Sequence, residues 1–169
     1  SDVVEARRQE IVETCRPRIE ECDVPELAHL VSLALRAADA FDAGHTEAAQ
    51  ALATAVLDTA VTQYFSDTPT SRRIAASLAE IKKMAGSSSA NEVYWRWLRA
   101  LTMAGIPPAW HSYEYGSDDP LFNRNGTIHA ADLTIYSPAN AARALSLATT
   151  LLRWFKQEED SFEDEDEDG

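Results

Sequence analysis

Residues 121–129, LFNRNGTIH, concentrate side chains that can move protons and hold anions. Asn123, Arg124 and Asn125 are consecutive, and His129 follows four positions after Asn125. Residues four positions apart lie on the same face of an α-helix. We therefore expect the amide of Asn125 to orient the imidazole of His129, while the flexible Arg124 side chain reaches the same pocket.

The chemistry that suits this group is cleavage of RNA through its own 2′-hydroxyl. Histidine exchanges protons near neutral pH, so His129 could take or return a proton. The planar donor fork of Arg124 could stabilise the charge of the phosphorane, and Asn125 would be the orienting group. Gly126 leaves room for a phosphate or another backbone to approach. This reaction requires no metal ion and no cofactor, and we expect none.

An Arg and a His at this spacing are a weak signal by themselves, because such pairs also arise by chance. As an alternative, the Arg-Asn-His cluster could hold two helix ends together by hydrogen bonds. The other histidines, His29, His45 and His111, are scattered and lack the spacing of a metal site. The sequence also has no phosphate-binding glycine loop and no nucleophile elbow. The cluster around Arg124 is therefore the one candidate for catalysis.

Apolar residues that recur every three or four positions predict helices throughout the chain. The predicted helices run from Asp2 to about Cys22 with a bend at Pro17, from Val24 to Ala43, from Thr46 to about Phe65, from Ser71 to Ala85, from Asn91 to Met103, and from Pro138 to about Lys156. The short Gly44-His45 connection predicts an antiparallel helix pair. Because no segment alternates with the period of a strand, we predict an all-α fold, a helical bundle of about six helices in a single domain, residues 1–157.

The last predicted helix lies just after the polar cluster. Ser137 suits its N-cap, and Pro138 suits its first position. Its core face is predicted at Leu145, Ala148, Leu152 and Phe155. Upstream, Asp119 and Pro120 predict a short helix that leads through residues 121–122 into the cluster.

Charge is distributed unevenly along the chain, whose net charge is -13. The last twelve residues, 158–169, contain nine acids and no base, and they predict a disordered acidic tail. A mimic of nucleic acid that competes for a basic surface is the alternative for this tail. By contrast, residues 71–99 contain six bases and two acids. These bases are candidates for RNA binding, although an ordinary solvated face explains the same charge: Arg72, Arg73, Lys82, Lys83, Arg96 and Arg99.

Three further features concern the cysteines, the location of the protein and an aromatic loop. Cys15 and Cys22 are too far apart on a helix for a disulfide, so we predict buried free thiols. With no secretion signal and no run of about 18 apolar residues, we expect a cytoplasmic protein that does not enter a membrane. The loop that holds Trp110, Tyr113 and Tyr115 either covers the core edge or stacks on bases.

The stretch from Leu121 to Phe155 resembles the HEPN superfamily of α-helical proteins. Its mark is an Arg, an adjacent polar residue, and a His after four to six intervening positions, which RNGTIH supplies with Arg124, Asn125 and His129. The wider piece FNRNGTIHAADLTIYS is similar to a bacterial variety that commonly reads Asn-Arg-His, a few residues, then His-Gly. The chain departs from that variety at Asn125, which replaces the first His, and at Ala130, which replaces the Gly.

The resemblance implies a metal-independent endoribonuclease, often a toxin or defence effector, with the motifs of a homodimer meeting in one cleft. RNA, a second copy of the chain, and an antitoxin or other protein are then the expected partners. The alternative is a non-catalytic HEPN-like helical module that binds a protein or nucleic-acid partner, with the acidic tail recruiting or blocking a basic protein. A regulatory, antitoxin-like module within a longer protein is the third reading. The RNA substrate and the means of regulation do not follow from the sequence.

Overall fold

The computed structural model describes residues 2–64, 109–110, 113–114, 121–129 and 133–167. The α-helices are α1 (Asp2–Ala6), α2 (Arg8–Glu20), α3 (Ala28–Asp42), α4 (Thr46–Tyr64), α5 (Arg124–His129) and α6 (Pro138–Glu167), and 3-10 helices span Pro25–Leu27 and Leu133–Ile135. No strand occurs within these ranges, and the predicted all-α fold is confirmed.

The connection between α3 and α4 is short because Gly44 reverses the chain. Its φ of 81° lies in the left-handed region, where glycine alone carries no steric penalty. The Gly44 amide donates to the carbonyl of Phe41 at 3.0 Å, and the His45 amide donates to the carbonyl of Ala40 at 2.8 Å. This is the paired capping pattern of a Schellman motif. The two helices pack against each other along their length, as the connection predicts.

The core lies where α4 packs against both α3 and α6, and α2 closes it from a third side. Its large side chains with less than 2% exposure include Ile19, Leu30, Phe41, Leu57, Leu145, Leu151 and Leu152. Each such apolar side chain contributes about 1.5–3 kcal/mol when it is removed from water. Alanines share these faces, among them Ala34, Ala37, Ala53, Ala60, Ala144 and Ala148. Their small size allows the helices to approach closely.

Helix α6 begins as predicted and ends later than predicted. The Ser137 hydroxyl accepts a hydrogen bond from the Asn140 amide at 3.1 Å, and the predicted core face from Leu145 to Phe155 is buried. The helix then continues past Lys156, its predicted end, to Glu167. A packed helix extends at little cost because its nucleus already exists, and the Lys156–Asp160 pair at 2.7 Å supports the next turn.

Three other boundaries differ from the sequence predictions. The first helix breaks at Arg7, and Pro17 is accommodated inside α2, three residues before its end. The segment from Val24 begins with the 3-10 turn Pro25–Leu27, so α3 itself starts at Ala28. Leu121 and Phe122 precede α5 without being helical. Apolar spacing alone predicts longer helices at these places, because it does not show where a local turn interrupts the helix.

The helices predicted at Ser71–Ala85 and Asn91–Met103 lie outside the described residues. In the part of the chain that is described, none of the helices is both long enough and apolar enough to cross a membrane.

The buried thiols generate a prediction about pH. Cys15 and Cys22 are free and buried, as predicted, and burial raises the pKa of both thiols. Their contribution to stability is fully present below the unfolded thiol pKa of about 8.5 and is lost as the pH rises through the higher folded values. The urea concentration at the unfolding midpoint should therefore decrease as the pH is raised from about 8.5 to about 10. A Cys15→Ala/Cys22→Ala variant should show a smaller fall; an equal fall in both proteins would contradict this assignment.

Candidate active site

The short helix α5 is held at its first turn by a side chain from just outside it. Asn123 is 2% exposed, and its Oδ1 accepts a hydrogen bond from the Gly126 amide at 3.0 Å. Its carbonyl also accepts from the amide and the hydroxyl of Thr127, at 3.0 and 2.9 Å. Asn123 is thus the N-cap of α5. Although it is part of the polar cluster in the sequence, its buried position makes it a structural residue.

A buried glutamine joins α5 to the rest of the bundle. Gln50 of α4 is 0% exposed, and its Nε2 donates to Thr127 Oγ1 at 2.9 Å and to the Ile135 carbonyl at 3.1 Å. Its Oε1 accepts from the Ser137 amide at 3.4 Å. Asn140 Nδ2 donates to the same Ile135 carbonyl at 3.0 Å. One amide therefore fixes α5, the 3-10 turn and the start of α6 relative to α4.

Helix α5 carries the predicted catalytic side chains, Arg124 and Asn125 in its first turn and His129 at its last position. Arg124 Nη1 donates to Asn125 Oδ1 at 2.7 Å and lies 3.4 Å from His129 Nε2. Because a guanidinium only donates, the second contact requires an unprotonated Nε2. His129 is exposed, whereas Arg124 and Asn125 are partly buried. The structure therefore brings the three residues together on one helix, with Arg124 as the side chain that contacts the histidine.

Arg124 also makes an ion pair that the sequence did not predict. Its Nη2 lies 2.5 Å from Asp58 Oδ1 on α4, and the two side chains are 17% and 31% exposed. Its Nε is buried and has no hydrogen-bond partner among the residues that the structure describes. The guanidinium thus lies between a carboxylate on one side and the Asn125 amide and His129 imidazole on the other.

Three residues of α4 that contribute to the site or its support were not predicted from the sequence, although their spacing is a recognisable pattern. Gln50, Thr54 and Asp58 are spaced by four along α4, so they form one polar line on an otherwise alanine-rich, apolar helix. Gln50 and Thr54 are both fully buried, and the Thr54 hydroxyl donates to the Gln50 carbonyl at 2.6 Å. Buried polar side chains need partners, so such a line indicates a polar element packed against it. That element is α5.

The segment around residue 110 packs against α5 from another direction. Trp110 packs against the core, and its carbonyl accepts from Asn125 Nδ2 at 3.4 Å. The half-buried Tyr113 ring lies directly over Gly126, where an added Cβ would be only 2.8 Å from Tyr113 Cδ2. The close approach that Gly126 permits is therefore made by an aromatic ring. Trp110 thus lies at the edge of the core and Tyr113 packs on α5, whereas Tyr115 is outside the described residues.

Two large apolar side chains are exposed, Ile128 of α5 at 41% and Leu133 of the following 3-10 turn at 76%. The predicted RNA-binding residues all lie outside the described ranges: Arg72, Arg73, Lys82, Lys83, Arg96 and Arg99. Ala130 lies outside them as well. Among the residues that are described, no cluster of three or more His, Cys, Asp or Glu side chains is arranged to hold a metal ion.

No protein-family model, curated protein or solved structure matches this chain.

The contact between Gly126 and Tyr113 can be tested with a double-mutant cycle. We expect Gly126→Ala to destabilise the fold by about 1–3 kcal/mol, because the new methyl group overlaps the ring. In a Tyr113→Ala background the same substitution should cost clearly less, since the ring is gone. Urea unfolding of the four proteins measures the coupling. Equal costs in both backgrounds would show that the ring does not constrain Gly126.

Proposed function

We propose that this protein is a metal-independent endoribonuclease of HEPN type that cleaves RNA with Arg124 and His129. The observation that carries the proposal is the 3.4 Å contact between Arg124 Nη1, at the start of α5, and His129 Nε2, at its end. The unprotonated Nε2 can accept the proton of a 2′-hydroxyl, while the N–H groups of Arg124 can donate to an oxygen of the adjacent phosphate. The site therefore places a group that can transfer a proton, His129, next to a fixed positive charge, Arg124.

In the proposed reaction the 2′-oxygen of a ribose attacks the adjacent phosphorus. The 2′-hydroxyl proton passes to His129 Nε2, the 2′-oxygen–phosphorus bond forms, and the bond from phosphorus to the 5′-oxygen breaks. A proton from solvent or from the histidine completes the leaving 5′-hydroxyl, and the other product ends in a 2′,3′-cyclic phosphate. Arg124 stabilises the negative charge that develops on the phosphorane oxygens. Asn125 orients Arg124, which differs from the expectation that it would orient His129 directly.

RNA binding in this proposal needs positive charge beyond the site. Asp58 balances the charge of Arg124 in the ion pair, so we assign the attraction for the RNA backbone to the basic residues between Arg72 and Arg99. We also propose a homodimer, which the exposed apolar side chains of Ile128 in α5 and Leu133 in the following 3-10 turn support. A toxin or defence role, held in check by an antitoxin or another protein, is the corresponding biological proposal.

A non-catalytic helical module is the alternative that one observation favours. In that reading the Asp58–Arg124 ion pair joins α4 to α5, and the guanidinium never contacts a phosphate. The domain would then bind a protein or nucleic-acid partner without cleaving it. The two proposals differ in the role of the exposed His129 side chain, which takes part in catalysis only if the protein is a nuclease.

The nuclease proposal predicts cleavage of total RNA by the purified protein in EDTA. His129→Ala should reduce the cleavage rate by about 100-fold or more, because it removes the proton acceptor. Arg124→Ala should do the same, because it removes the charge that stabilises the phosphorane.

Two controls make this result specific. The helical circular-dichroism signal should be retained in both variants, and His45→Ala, at the connection between α3 and α4, should cleave RNA at the wild-type rate. Intact RNA with the wild-type protein, or undiminished cleavage by His129→Ala, would contradict the proposal and favour the non-catalytic module.

A further inference from the structure

We infer that Asp58 is a positioning residue that fixes the guanidinium of Arg124 for RNA cleavage. The inference rests on the proposed function and adds a residue from α4 to a site otherwise carried by α5. It starts from the ion pair between Asp58 Oδ1 and Arg124 Nη2 at 2.5 Å.

The geometry assigns a distinct partner to each side of the guanidinium. Nη2 faces Asp58, and Nη1 faces Asn125 Oδ1 at 2.7 Å and His129 Nε2 at 3.4 Å. The group is planar, so holding one end to a carboxylate sets the direction of the other end. Asp58 therefore determines where the N–H groups nearest to His129 point.

The burial of the pair supports this role over that of an incidental surface contact. Arg124 is 17% exposed and Asp58 is 31% exposed, so both are partly withdrawn from water. A second interhelical pair, between Arg16 and Asp39, is more open, with exposures of 35% and 63%. Side chains as exposed as Asp39 gain little from such pairs. The Arg16–Asp39 pair is thus a matched control for a substitution that removes one carboxylate charge.

The backbone that carries Asp58 is also fixed relative to α5. Two turns earlier on the same face of α4, Gln50 is fully buried and bonds to Thr127 of α5. The carboxylate of Asp58 therefore contacts Arg124 from a position on α4 that is fixed relative to α5. Removing the carboxylate should release the guanidinium without displacing α5, because the Gln50 contact remains.

The expected kinetic effect separates positioning from substrate binding. Asp58→Asn should lower kcat for RNA cleavage on the order of 10- to 100-fold, because a misaligned charge stabilises the transition state less well. KM should not rise, since a carboxylate does not attract the RNA backbone. Asp58→Glu keeps the charge and should retain more activity than Asp58→Asn. Asp39→Asn should remain within about twofold of wild type.

A second readout observes Arg124 without RNA. In nitrogen-15 NMR spectra, the Nη protons of an arginine held by a carboxylate give separate signals, and these average when the group rotates freely. The Arg124 signals, assigned by their loss in Arg124→Lys, should be resolved in the wild-type protein and averaged in Asp58→Asn. They should be unchanged in Asp39→Asn.

The outcomes distinguish this inference from the proposed function. RNA cleavage by wild-type protein with an undiminished or higher rate in Asp58→Asn would overturn the positioning role and leave the nuclease standing. Unchanged Arg124 signals in Asp58→Asn would overturn it as well. Wild-type protein that leaves RNA intact would overturn the nuclease and the catalytic purpose of the pair together, while the NMR comparison would still decide whether Asp58 orders Arg124.

Discussion

The buried amide of Gln50 is the constraint on which the arrangement of the site depends. A fully buried amide without partners would cost about 1–3 kcal/mol, so the surrounding chain must supply acceptors and a donor at fixed places. Thr127, the Ile135 carbonyl and the Ser137 amide do so. These groups belong to α5, the following 3-10 turn and the start of α6. The packing of three successive elements is therefore determined by one side chain in the middle of the core.

That constraint explains how a helix as short as α5 can carry a defined site. Six residues cannot form a stable helix alone, because nucleation is unfavourable and few hydrogen bonds follow it. The Asn123 cap, the Gln50 bond to Thr127, and the Tyr136 hydroxyl that donates to the Thr127 carbonyl at 2.9 Å hold it instead. Since these contacts fix the backbone of α5, the partly buried Arg124 side chain and the exposed His129 side chain extend from a rigid base.

Features of the structure that depend on neighbouring residues could be predicted from the sequence, whereas contacts between distant residues could not. Helical apolar spacing and Gly44 were sufficient to predict α3, α4 and the core face of α6, because capping and periodic burial are written in neighbouring residues. Co-location of Arg124, Asn125 and His129 could also be predicted, because all three belong to one short segment. Asp58 could not be linked to Arg124 in this way, since a contact across sixty-six positions depends on how α4 packs against α5. The end of α6 was misplaced because the acidic composition was weighed without the packed helix that precedes it.

The chemistry of the cleaved ends tests the central claim most directly. A defined RNA oligonucleotide, incubated with the wild-type protein in EDTA and analysed by mass spectrometry, should yield fragments that end in a 2′,3′-cyclic phosphate and begin with a 5′-hydroxyl. The same oligonucleotide with every ribose 2′-O-methylated should remain intact, because the attacking hydroxyl is absent. Cleavage of the methylated strand, or products with 5′-phosphate ends, would contradict a mechanism in which His129 and Arg124 promote attack by the 2′-hydroxyl.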